Sequence, residues 1–289
     1  SCVVNPDVGR EHLLAATASA KAAEPPKHVL VVGAGPAGLA AARMAALGGH
    51  RVHLVEQQDD TGGLARLAAR APGRREVGDI LTYFRSELDR LGVAVSFKTD
   101  GIGNLLEASE FNAVVVATGS LPEVPLIKGI AQTRMQLISV VDVLAVEALA
   151  GERVIVLGGN QGALMVADYL AEEGKHVTVL NRHKHYAEEM SSNDRNYLRE
   201  RLKRDTVDLF KPVQVKKILS DGARVVINGE THDLTGFDTL VLAEAMTPIR
   251  AVVAAVRAHD LPLTIIGDAK QARTIMHAIA EGEEAGRDI

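Results

Sequence analysis

Three glycines and a glutamate define the chemistry open to this chain. Gly33, Gly35 and Gly38 fall at G-x-G-x-x-G spacing, and Glu56 follows 23 residues after the first of them. Gly33 permits a tight turn out of a strand. Gly35 has no side chain, so the backbone can approach a pyrophosphate closely, and Gly38 lets a helix pack against the strand. That helix opens on Pro36 and Ala37, and its N-terminus offers free N–H groups and a positive dipole end to phosphate oxygens. Glu56, with Gln57 beside it, is placed to accept both hydroxyls of an adenosine ribose. The same positions recur 125 residues later as Gly158, Asn160 followed by Gln161, Ala163, and Asn181 followed by Arg182.

The elements that must position these residues are written twice. Residues 29–56, VLVVGAGPAGLAAARMAALGGHRVHLVE, align without a gap with residues 154–181, VIVLGGNQGALMVADYLAEEGKHVTVLN. Each copy reads as an apolar strand, a Gly-bearing turn, an amphipathic helix and a second strand ending at a diagnostic position. That is the dinucleotide-binding βαβ unit, and a chain with two of them handles two nucleotides. The first copy fills every required position, which predicts a site for an ADP-containing cofactor. The second keeps Gly158, and Ala163 is tolerated by the fingerprint. Asn160 is expected to stand where the pyrophosphate approaches. Asn181 removes the acid, and Arg182, His183 and Lys184 follow it, which suits a 2′-phosphate and favours NADPH over NADH. Ala245 stands where the first half has Gly119. The alternative is a Rossmann domain kept for packing, with no bound nucleotide.

Distant segments bear on the first cofactor. The loop at 57–77 carries Gly62, Gly63 and Leu64; FNAVVVATGS at 111–120 is a strand running into Ala117, Thr118 and Gly119; LPLTIIGDA at 261–269 ends in Gly267 and Asp268. FAD is long, its flavin half needs contacts far in sequence from the ADP half, and an Asp at a strand end suits a ribityl hydroxyl. Helical patterns are expected at 76–91, 139–149 and 271–288, and strands at 93–98, 213–218 and 223–228. His183 and His185 could ligate a metal, but no third ligand lies at useful spacing, so a solvated basic patch is the better reading.

Bulk properties agree with an α/β chain of two Rossmann-like domains. The 289 residues are 47% hydrophobic, aromatics are 3%, and the net charge is −5, so there is no basic footprint for nucleic acid or a membrane surface. One cysteine excludes an internal disulfide, and residues 1–24 lack a signal pattern, which points to the cytoplasm.

The pattern of two dinucleotide units with a late Gly-Asp segment resembles the glutathione-reductase-like flavoprotein superfamily, whose FAD domain is discontinuous. SCVVNPDVGRE at 1–11, VINGE at 226–230, TPIRAV at 247–252 and the ending at 265–289 are similar to the C-terminal half of the 2,4-dienoyl-CoA reductase and trimethylamine dehydrogenase family. The resemblance implies a lead-in at 1–26, an FAD-binding domain at 27–130 and 248–289, and an NAD(P)-binding-like domain at 131–247. It also implies a missing N-terminal half with an FMN-binding (β/α)₈ barrel and three cluster cysteines. Cys2 would then be the fourth ligand of a 4Fe-4S cluster, which this chain alone cannot assemble. In the reductase branch, NADPH reduces FAD and electrons pass through the cluster to FMN. In the amine dehydrogenase branch, the first site holds only ADP and the second is not a working nicotinamide site. Thioredoxin-reductase-like activity is excluded, because no C-x-x-C exists. No residue here has an acid/base role, since flavin hydride transfer relies on stacking and orientation.

Overall fold

The computed structural model describes residues 2–9, 25–108, 110–204 and 206–289; the expectations for Arg10 and Glu11, and most of the lead-in, lie outside these residues. The chain divides into two compact units. Unit one is residues 1–66, 76–121 and 248–289, and unit two is residues 67–75 and 122–247. The division falls at 121/122, where the sequence suggested 130/131, and residues 67–75 leave the first unit for the second. Leu67, Ala68 and Ala71 carry that excursion by packing into the core of unit two.

In unit one, a parallel sheet runs in the order Leu263–Ile265, Ala113–Val116, His28–Val32, Arg51–Val55 and Ala94–Ser96. Strands Ala113–Val116 and His28–Val32, two of the three inner strands, are buried almost throughout, as continuous apolar runs covered on both faces should be. Helix Pro36–Leu47 links the third and fourth of these, His28–Val32 and Arg51–Val55. Half of it is alanine because it is squeezed: Ala37, Leu39, Ala40, Ala41, Ala42 and Ala45 are all buried. One neighbour is the helix Ile275–Arg287, which crosses it at close range. A Cβ added at Gly282 would come within 2.3 Å of the Ala37 carbonyl oxygen, and one at Gly286 within 2.6 Å of the Ala41 oxygen. Gly282→Ala must therefore push the two helices apart. It should lower the unfolding free energy by roughly 1–3 kcal/mol, read as a drop in melting temperature; an unchanged melting curve would show that the helices tolerate separation.

Unit two repeats the plan. Its parallel sheet runs Gln136–Ser139, Thr239–Leu242, Arg153–Leu157, His176–Leu180 and Val207–Phe210. Helix Gln161–Glu172 links the third and fourth of these, and helix Ser192–Arg201 the fourth and fifth. An antiparallel meander, Val213–Leu219, Gly222–Ile227 and Glu230–Thr235, lies between the last strand and the return to Thr239–Leu242. The helix expected at 139–149 is real but shorter, Val140–Ala145: Ser139 and Asp142 form a capping box at its start, and Val146 in the left-handed region ends it. Among the described residues, no helix is long and apolar enough to cross a membrane.

Candidate functional site: two dinucleotide turns

The two Gly-rich turns are built alike at the backbone. The Gly33 N–H donates to the Val55 carbonyl and the Ala117 N–H to that of Val32, each at 2.8 Å; Gly158 and Ala243 make the same bonds to Leu180 and Leu157, each at 3.0 Å. Gly33 and Gly158 have φ of 103° and 139°, and a Cβ on either would lie 2.4 or 2.6 Å from the carbonyl oxygen of Ala117 or Ala243. Only glycine serves at either position.

In unit one, the expected site residues converge on the start of helix Pro36–Leu47. Gly35 is its N-cap, with no side-chain cap and no acid in the first turn. A Cβ at Gly35 would meet nothing within 4 Å, whereas one at Gly38 would lie 1.9 Å from the Gly33 oxygen. The Glu56 carboxylate accepts from the Ala34 N–H at 2.6 Å and the Gln58 N–H at 2.9 Å, which fixes it beside the turn; Gln57 is exposed next to it. The Gly62 N–H donates to Ala34 O at 2.8 Å, which brings Gly63 against Gly35, with Leu64 partly exposed beyond. Thr118 Oγ1 donates to Ile249 O at 2.6 Å, and the Ile249 N–H to Gly119 O at 2.9 Å. Ser120 Oγ donates to Asp268 Oδ2 at 3.1 Å, and Gly267 lies against Ala37, where an added Cβ would be 2.7 Å from the alanine Cβ. Four segments, more than 200 residues apart at the extremes, thus surround one helix start.

Two positioning residues escaped sequence reading. Glu281 accepts the Gly267 N–H at 2.8 Å and is paired with Lys270 and Arg273; these partners hold its carboxyl below the ordinary value against the opposing effect of burial. Arg85 donates to Thr61 Oγ1 at 2.6 Å and pairs with Asp60 at 2.7 Å, bracing the approach to Gly62. Neither carries a spacing signal.

Unit two is different where a ligand would touch it. Asn160 does not stand over the turn. Its backbone is extended, with φ −76° and ψ 178° against −72° and 177° for Gly35, so the position asks for no glycine torsion. Its side chain folds back: Oδ1 accepts from the Ala163 N–H at 2.9 Å, and Nδ2 donates to Ala243 O at 2.8 Å and Glu244 O at 3.3 Å. A short amide with both a donor and an acceptor satisfies the helix start and the strand end together. The next N–H, that of Gln161, donates to the Glu189 carboxylate. Asn181 is 1% exposed and spends its amide on the loop that follows, donating to His183 O and His185 O and accepting from the His183 N–H at 3.0 Å. Arg182 pairs with Glu244 at 2.8 Å. The Gln161 and Ala163 N–H groups and the Arg182 cation, expected to meet a nucleotide, are thus engaged within the chain, while Lys184 is exposed. Among the described residues, no group of three or more His, Cys, Asp or Glu is arranged to hold a metal ion.

Cys2 lies in the short segment preceding unit one's first strand. Backbone N–H groups of Asn5 and Val4 hold its thiol below the ordinary value. Asp7 in the same segment takes two hydrogen bonds from Arg287, at 2.8 and 3.0 Å, which ties it to helix Ile275–Arg287.

The chain is similar to known proteins along its whole length. A family model described as pyridine nucleotide-disulphide oxidoreductase matches residues 27–264. A metal reductase of Desulforamulus reducens is 31% identical, over 96% of this chain and 46% of that protein. An NADH oxidase of Thermoanaerobacter brockii is 31% identical, over 100% and 44%. The solved structure of a 2-naphthoyl-CoA reductase in complex with 2-naphthoyl-CoA superposes with a TM-score of 0.92 at 32% identity, over 100% of this chain and 43% of that one. The chain spans less than half the length of these relatives, so their whole activities involve parts that it does not match.

Proposed function

Because the chain belongs to the pyridine nucleotide-disulphide oxidoreductase family, we propose that it is the FAD- and NAD(P)-binding module of a larger oxidoreductase. It passes electrons between NAD(P)H, FAD and a half carrying FMN and a 4Fe-4S cluster. The observation that carries this reading is the convergence of four segments on the uncapped start of helix Pro36–Leu47. The free space over Gly35 fits a pyrophosphate, Glu56 fits the adenosine ribose, and the segments ending in Gly119 and Asp268 fit the remoter half of a long cofactor. FAD held there supplies the exchange between a two-electron hydride and single electrons. The chain's own part is to bind and orient. Cys2, its thiol held below the ordinary value by two backbone N–H groups, would offer one of the four ligands that the cluster needs. With a single cysteine, the chain has no dithiol for the disulphide chemistry in the family's description.

Unit two supports a second reading, an ADP-binding scaffold with a vestigial nicotinamide site, because Glu189 and Asn160 take the helix-start donors. Extracting nucleotide from the purified chain separates the two. FAD supports the first reading, ADP without flavin the second, and no nucleotide at all overturns both.

Glu56→Gln tests the adenosine end. The neutral amide loses a charge-assisted acceptor and turns an NH₂ group toward a backbone N–H. Affinity for the ADP-containing cofactor should fall by about 1.5 kcal/mol, roughly tenfold. Equal cofactor occupancy in variant and parent would remove the ribose assignment.

A further inference from the structure

The turn Gly267–Ala269 in unit one is held by several residues at once. Gly267 lies in the left-handed region, at φ 60°, and is buried against Ala37. Its N–H donates to Glu281 Oε2 at 2.8 Å. Arg250 donates from Nε to the Ala269 carbonyl and from a terminal nitrogen to that of Lys270, each at 2.7 Å. The Asp268 carboxylate accepts from the Ser120 hydroxyl and from the Arg273 backbone N–H, each at 3.1 Å. Glu281 has a second engagement. Its Oε1 takes the Arg273 guanidinium and, at 3.3 Å, Lys270 Nζ.

Both donors to Asp268 are neutral groups, and a carboxylate offers about four acceptor positions, so room for further donors remains on it. The competitor for that room is Arg273. Its own N–H already touches Asp268, which tethers its guanidinium within reach of the same carboxylate. A bidentate guanidinium–carboxylate pair would consume the open positions. Glu281 prevents this by offering Arg273 a different carboxylate, on a side chain only 14% exposed, where an ion pair is weakly screened. Lys270 competes less, because its side chain is 59% exposed and water solvates its ammonium. Arg250 steadies the turn but holds no cation away from Asp268, since it grips carbonyl oxygens.

We propose that Glu281 is a specificity-determining positioning residue: by holding Arg273 it keeps Asp268 open to the ribityl hydroxyls of a flavin dinucleotide, and so sets the preference of unit one for FAD over ADP. This rests on the FAD reading and concerns one end of the site only. None of the bonds made by Glu281 involves Gly33, Gly35 or Glu56, the residues of the pyrophosphate and adenosine end. Affinity for ADP should therefore not register the loss of Glu281.

Calorimetric titration of the full chain, freed of nucleotide, with FAD and with ADP tests it. Glu281→Gln keeps the volume and an oxygen for the Gly267 N–H, and removes the counter-charge. It should bind FAD at least about tenfold more weakly than the parent, with ADP affinity unchanged. Adding Arg273→Gln removes the freed guanidinium and should return FAD affinity to within about threefold of the parent's. Arg250→Gln makes the contrast. It loosens the turn without freeing Arg273, so its FAD affinity should fall and should not recover when Arg273→Gln is added. A parent that binds FAD no tighter than ADP overturns the FAD reading and this inference with it. The inference alone is overturned if a parental preference for FAD survives Glu281→Gln, or if FAD and ADP affinities fall equally. It is also overturned if Arg273→Gln fails to restore FAD binding, or restores it in the Arg250 variant as well.

Discussion

Gly38→Ala should leave the chain almost free of nucleotide, with a cofactor-to-protein ratio below about a tenth of the parent's. The added Cβ would begin 1.9 Å from the Gly33 oxygen, and contacts under 3.0 Å are essentially never realised, so helix Pro36–Leu47 must withdraw from its turn. Overpacking of this kind costs roughly 1–3 kcal/mol. The retreat also carries the first-turn N–H groups away from the pyrophosphate, and misplacement of about 1 Å can weaken such an arrangement a hundredfold. Gly35→Ala makes the informative contrast. Its Cβ meets no protein atom within 4 Å, so the variant should melt within a degree or two of the parent. It should nonetheless lose the cofactor, because the methyl group enters the space over the turn. Absorbance of the purified proteins and their melting curves check both variants. A Gly35→Ala protein with parental cofactor content would show that the nucleotide does not cross this turn.

Glu189→Ala should tighten NAD(P)H binding to unit two by about ten- to a hundredfold. The Glu189 carboxylate accepts the Gln161 N–H at the start of helix Gln161–Glu172, so a nucleotide phosphate must displace it. A hydrogen bond to a charged group contributes about 1.5–3 kcal/mol, and removing the competitor returns that amount to the ligand. The same change takes a negative charge from a helix N-terminus, so the variant should lose about 0.3–1 kcal/mol of stability. Fluorescence titration with NADPH and NADH, alongside a thermal melt, reads the two effects separately. No gain in affinity would mean that the second site is closed by more than Glu189, which favours the scaffold reading.

The backbone half of this site is legible in the sequence, and the side-chain half much less so. Gly33 and Gly158 are dictated by torsion and by a carbonyl less than 3 Å from any Cβ, constraints that act within one βαβ unit and therefore leave a spacing. Glu56 is fixed by the turn beside it, and the return of Gly267 to the first unit is marked by its strand and helix patterns. Asn160 could not be read this way. Its rotamer is decided by the carbonyls of Ala243 and Glu244, more than 80 residues away, which a local motif does not contain. Arg182 has the right charge at the right place, yet Glu244 neutralises it from across the sheet. Glu189 sits in an exposed loop with no periodicity at all. The stretch 183–206 reads as charged and partly helical, and its charge is the one signal it carries. Tyr186, buried in its midst, has none.

The path of the chain through unit one has a consequence for its biosynthesis. Strand Ala113–Val116 is flanked on one side by Leu263–Ile265, and helix Pro36–Leu47 is covered by Ile275–Arg287. Residues 27–121 therefore emerge from the ribosome without the last strand and covering helix of their own unit. At about 5–20 residues per second, they wait roughly 10–30 s for those pieces. The stretch 122–247 carries its whole five-stranded sheet and meander, and it can fold during that interval. The unit encoded second is thus finished first. The alanine-lined face of helix Pro36–Leu47 stays uncovered until Ile275–Arg287 has been made, and the first nucleotide can be loaded only after the stretch 122–247 has been synthesised.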